Sequence, residues 1–271
     1  MWIVLAGALA SLNVTKRFAL LLLLAATLMA FHQHVVGVAA LPLLAAIGLL
    51  AWLRARFAAH RLWQGVTEAL MVAIAVALFL HLFPGFYNVK QLDNVRAGPH
   101  SAPFSLWFNF DKALIPFVLL ACLPTLFKTA ASPVRYSWQW IALLIAIPLL
   151  LFVAVLLGGL AREPHFPSWL ALFMLSNLFF VSLAEEALFR GYLQQRLRQW
   201  LGGMPALLLT SLLFGLAHFA GGLLLVVFAA LAGIIYGLAW HWSGRLWVST
   251  LFHFAFNMTH LLFFTYPVLQ R

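Results

Sequence analysis

The sequence predicts an all-α protein, a polytopic transmembrane helical bundle of about eight or nine spans. Of its 271 residues, 65% are hydrophobic and 8% charged, against about 25% charged in a soluble domain. Apolar runs near the roughly 20 residues that a spanning helix needs recur along the whole chain. The Lys and Arg residues gather between those runs, which is the positive-inside pattern. That clustering also removes the nucleic-acid reading that a net charge of +10 would otherwise invite.

Candidate helices fall at 17–31, 35–53, 66–83, 113–127, 138–160, 168–190, 204–220, 222–241 and 246–265. The first and fourth are short. The first either merges with the apolar residues 2–12 or tilts as a hairpin with the second, which leaves the count at eight or nine. Lys16 and Arg17 follow residues 1–12 instead of preceding them, the wrong order for a cleaved signal peptide. Most of the 16 basic residues fall on the cytosolic side if the N-terminus is cytosolic. The chain divides into N-terminal transmembrane helices, 1–160, and a C-terminal helical core, 161–271, within one integral membrane unit.

The longest polar stretch, 85–112, reads as an external loop. At its end Phe108-Asn109-Phe110-Asp111-Lys112 opens the fourth helix, with Asn109 or Asp111 as caps; substrate contact is the alternative role. His32 and His34 read as an interfacial turn, and Trp240-His241-Trp242 as a membrane-interface belt. His60, His81, His100, His165 and His241 have no partner at helical spacing. The single cysteine, Cys122, lies in an apolar run and reads as packing.

The chemistry gathers in the C-terminal half. Only six residues are acidic, and two of them, Glu185 and Glu186, stand together after the apolar run 169–184. An ionisable group at membrane depth is costly, so a functional site is the default reading. Glu186 and Arg190 are i,i+4 and share a helix face. Glu185 is turned about 100° away and has no partner within the motif. Phe214-Gly-Leu-Ala-His218 follows, then His253-Phe-Ala-Phe-Asn257, with His260 further along the stripe of His253.

Glu185 lies 17 residues before Gly202 and His218 15 residues after Gly203, which sets both at one depth in an antiparallel hairpin. His253 matches that depth only if Gln194 to Trp200 protrudes from the bilayer. Gly233 and Gly237 suit close helix packing.

A free carboxylate beside a histidine can activate water, and a second histidine with an asparagine can donate to an oxyanion. Alternatively, Glu185, His218 and His253 form a His₂Glu zinc set with an open position. The spacing leaves both open, though the absence of HExxH weighs against zinc. Singly, each signal is commonest as a structural clamp or packing residue; together and in this order they favour function.

The three motifs in this order resemble the CAAX protease and bacteriocin-processing (CPBP, or Abi) family of intramembrane proteases, which includes the Rce1-type prenyl-protein endopeptidase. Its signature is EExxxR, FxxxH and HxxxN or HxxxB, and the likeness covers about 168–262. The resemblance implies an endopeptidase with its cavity within the last four helices. Glu185 and His218 are implied as the water-activating pair and His253 and Asn257 as oxyanion stabilisers. Glu186 and Arg190 are implied as supporting residues, and His260 is a further candidate.

No cofactor is expected under the glutamate mechanism; zinc is the alternative. The implied partners are membrane lipid and a peptide or lipidated protein, in a bacterial inner membrane. CAAX specificity itself is not carried over. The competing readings are a non-catalytic protein of the same fold, acting in immunity or as a scaffold, and a proton-relay transporter. The absence of broken helices in two related halves argues against the transporter.

Overall fold

A computed structural model describes residues 1–270. The chain is an integral membrane helical bundle with one small hairpin. Its helices are α1 (Trp2–Ser11), α2 (Lys16–His32), α3 (Leu41–Arg56), α4 (Arg61–Phe79), α5 (Phe110–Cys122) and α6 (Trp138–Leu156). They continue as α7 (Leu170–Leu201), α8 (Gly203–Leu216), α9 (Leu223–Ser243) and α10 (Leu246–Phe263). Five helical segments are long and apolar enough to cross a membrane: Val38–Arg56, Arg61–Phe79, Trp138–Leu156, Leu170–Leu201 and Leu223–Ser243.

The membrane character shows in α6. Leu143, Ile147, Leu151 and Ala154 are buried, while Ile141, Leu144, Ile145 and Leu149 are exposed. A helix apolar on its inner and outer faces alike is a core element or a membrane span, and here the outer face meets no protein. Leu20, Leu21, Leu24 and Leu28 give α2 the same apolar outer face.

Several expectations need correction. Residues 2–12 do not merge with the next helix; α1 ends at Ser11 and a turn precedes α2 at Lys16. The stretch 85–112 is no plain loop. Val89–Val95 (β1) and Phe104–Phe108 (β2) pair antiparallel with two irregularities, and Lys90 lies over the Trp107 ring at 5.0 Å. The helix expected at 204–220 stops at Leu216, so His218 stands in the turn beyond it. Within Gln194 to Trp200, Gln194 and Gln195 are buried against the protein and Trp200 is exposed. Gln194 Nε2 donates to the Gly237 carbonyl at 3.2 Å, and Gln195 Nε2 to Thr125 Oγ1 at 2.5 Å.

The close packing expected of Gly233 and Gly237 is present. A Cβ on Gly233 would stand 3.1 Å from Arg190 Nη2 and 3.2 Å from Ser211, and one on Gly237 would stand 3.0 Å from Leu207. The small residues let α9 meet both α7 and α8, and the site lies along that junction.

Candidate functional site

The two glutamates sit in Leu183–Glu186, a single α-helical turn of α7 between π-helical stretches at Ser176–Ser182 and Ala187–Gln194. Wide turns of this kind are rare and gather at functional sites. They also set a five-residue repeat locally, so Ser182 Oγ reaches Asn177 Oδ1 at 3.2 Å.

Glu186 is fully buried and engaged on both oxygens. Arg190 Nη1 donates to Oε1 at 2.7 Å, and His253 Nδ1 lies 3.0 Å from the same oxygen. Ser249 Oγ contacts Oε2 and also lies 3.0 Å from the Tyr236 carbonyl. Arg190 is fully buried as well; its Nη2 donates to the Gly233 carbonyl at 3.0 Å. The guanidinium lies 4.4 Å from the Phe214 ring centre and 5.3 Å from that of Tyr236. Those ring faces attract the cation, which matters because Arg190 Nε is buried without a hydrogen bond among the described residues.

The histidines are oriented by the same framework. A carboxylate only accepts, so the His253 Nδ1–H points to Glu186 and Nε2 is left for other contacts. Its ring stacks on Tyr236, with centroids 4.5 Å apart. His218 Nδ1 donates to the Phe214 carbonyl at 2.8 Å, which likewise leaves Nε2 outward. Phe214 touches both imidazoles, at 4.8 Å from His218 and 5.7 Å from His253. Asn257 Nδ2 donates to Asn177 Oδ1 at 3.3 Å.

Glu185 differs from every other acid in the chain. Glu68, Asp93, Asp111, Glu163 and Glu186 each accept hydrogen bonds. Glu185 is buried and accepts none among the described residues; its polar neighbour is Lys112 Nζ at 3.7 Å. Lys112 comes from the start of α5. There Asn109 holds the N-cap position without a side-chain capping bond. Asp111 does serve the helix start, its Oδ1 accepting from the Lys112 backbone N–H at 2.9 Å, while its Oδ2 lies 2.6 Å from His81 Nδ1. His81 thus has a partner, although a distant one in sequence.

The structure therefore brings Glu186, Arg190 and His253 together, sets His218 on the Phe214 ring, and leaves His260 apart. His260 Nε2 lies 3.1 Å from the Thr265 carbonyl, and its ring packs on Tyr266. Sequence reasoning missed Ser249, Tyr236, Asn177 and the Lys112 contact. Ser249 had a signal: Ser249, His253 and Asn257 follow at steps of four on one helix face. Lys112 had none, since its proximity to Glu185 is purely tertiary.

The zinc set fits poorly. Among the described residues, no three His, Cys, Asp or Glu side chains gather closely enough to hold a metal ion.

Residues 167–259 match the family model of the Rce1-like type II CAAX prenyl endopeptidases. That match carries the three motifs and shows the resemblance to a CPBP, Rce1-like protease; it supports a peptidase that works in the membrane. No curated protein and no solved structure matches the chain significantly.

Proposed function

We propose that this protein, with its Rce1-like C-terminal region, is an intramembrane endopeptidase that hydrolyses a peptide bond by glutamate-activated water. The observation that carries the reading is the difference between two adjacent carboxylates. Glu186 is saturated by Arg190, His253 and Ser249, whereas Glu185 accepts no hydrogen bond among the described residues. A carboxylate left free in a buried site is suited to take a proton from water.

In this mechanism Glu185, with the Nε2 of His218, removes a proton from water as its oxygen bonds to the carbonyl carbon. The electron pair of the C=O bond moves onto oxygen. His253, whose imidazolium Glu186 stabilises, donates from Nε2 to that oxyanion, and Asn257 contributes its amide. The proton then passes to the leaving nitrogen as the C–N bond breaks. Glu186 and Arg190 hold His253 and the helix register.

The substrate we propose is a membrane-associated, lipid-modified or exported protein with a leader or sorting segment, cleaved in a bacterial inner membrane with the enzyme's N-terminus in the cytosol. The test is turnover of a synthetic membrane-peptide library by wild type and Glu185→Gln. Loss of cleavage in a folded variant is expected; equal cleavage by the two proteins sinks the assignment.

A further inference from the structure

Lys112 and Glu185 share three properties: each is ionisable, each is largely buried, and neither side chain makes a hydrogen bond among the described residues. Nζ stands 3.7 Å from Oε1, well beyond the roughly 2.7–2.9 Å of a charge-assisted N–H···O bond. The other neighbour of the ammonium is the Phe79 ring, at 4.6 Å. An ammonium has three N–H donors, and at 16% and 8% side-chain exposure neither Lys112 nor Glu185 is sealed off. An accessible ammonium beside an accessible carboxylate, with no protein hydrogen bond to either side chain among the described residues, marks a place for a polar group from outside the chain.

The lysine is also held firmly. The preceding residue, Asp111, pairs with His81 at 2.6 Å, and His81 takes the left-handed φ of +57°. Asn88 Nδ2 lies 3.3 Å from the same imidazole nitrogen. A strained, over-determined turn of this kind is a feature of sites that need fixed geometry.

We propose that Lys112 is a catalytic residue of the hydrolysis proposed above, its ammonium donating to the carbonyl oxygen of the scissile bond. The proposal rests on the reading of Glu185 as base. In the resting site the two charges neutralise each other. When Glu185 takes the water proton it becomes neutral, and one negative charge appears on the carbonyl oxygen. Lys112 then faces the oxyanion instead of the carboxylate, so the site keeps its net charge and the cation keeps a counter-ion. Collapse of the intermediate re-forms C=O, breaks C–N and returns the proton to the leaving amine.

One of the two N–H donors of the Asn257 amide is engaged by Asn177, which leaves one for the oxyanion, and Lys112 adds a charged donor. The consequence is that the active site includes α5, outside the matched region 167–259.

Variants of Lys112 test this. Lys112→Gln is expected to lower kcat about 10²- to 10³-fold with little change in KM, the loss typical of one oxyanion donor, with Lys112→Arg, which keeps the charge, recovering part of it. Wild-type turnover by Lys112→Gln, while Glu185→Gln is inactive, overturns the role of Lys112 alone. Turnover by Glu185→Gln overturns the underlying mechanism instead.

Discussion

Glu186 and Arg190 form a 2.7 Å ion pair in which neither side chain has exposed surface. Removing one member of such a pair strands a buried charge, at about 3–5 kcal/mol. Glu186→Gln is therefore expected to unfold or aggregate in mild detergent, whereas Glu185→Gln melts near the wild type. Size-exclusion profiles with thermal unfolding of the two variants check this. The distinction matters because loss of activity in Glu186→Gln reports on structure, and loss in Glu185→Gln reports on chemistry.

The junction of α7 and α9 makes a second prediction. Arg190 and Gln194, one turn apart, donate to the carbonyls of Gly233 and Gly237, also one turn apart. A Cβ at Gly233 meets Arg190 Nη2 and Ser211. Overpacking of this kind costs about 1–3 kcal/mol. Gly233→Ala is expected to lower the melting temperature and to displace Arg190, with activity falling in parallel.

A third concerns the clasp on the hairpin side. Glu163 accepts from Ser101 Oγ at 2.5 Å and from the His100 N–H at 2.7 Å. Burial pushes its carboxyl up, but those two bonds, helped by the charges of His165 and His100, outweigh burial and hold it below the usual carboxylate range. A carboxyl held low in the folded state stabilises the fold above its unfolded value of about 4.3, and that contribution disappears as pH falls through the folded value. Glu163→Gln is expected to cost about 1–3 kcal/mol at pH 7. The gap to wild type should close below about pH 4. Melting temperature against pH for both proteins measures it.

The histidines should separate by role. His253→Ala is expected to lose at least about 10²-fold in turnover. His260→Ala should retain turnover, because its ring nitrogen faces the Thr265 carbonyl and not the Glu186 cluster. Equal losses in both variants would contradict the placement of the site.

Much of this architecture was legible in the sequence because membrane helices write themselves as apolar runs, and an ion pair at i,i+4 follows from helix periodicity alone. Glu186 with Arg190 was readable for that reason. Glu185 was legible only as the carboxylate left without a partner in its motif. What escaped was tertiary. His81 meets Asp111 across 30 positions, and Lys112 meets Glu185 across two helices. The hairpin escaped because its strands are short and irregularly paired within a long polar stretch. The end of α8 escaped too, since Ala217 and His218 do not break an apolar pattern, yet the chain turns there to place His218 on Phe214.

The central claim is that Glu185 activates water for peptide hydrolysis. The most direct measurement is cleavage of a membrane-peptide library by purified wild type and Glu185→Gln, each with and without a strong chelator. The account predicts cleavage by wild type that is indifferent to chelator and absent in Glu185→Gln. Cleavage by Glu185→Gln at the wild-type rate would contradict it, and loss of wild-type cleavage on chelation would replace glutamate-activated water with a metal-dependent route.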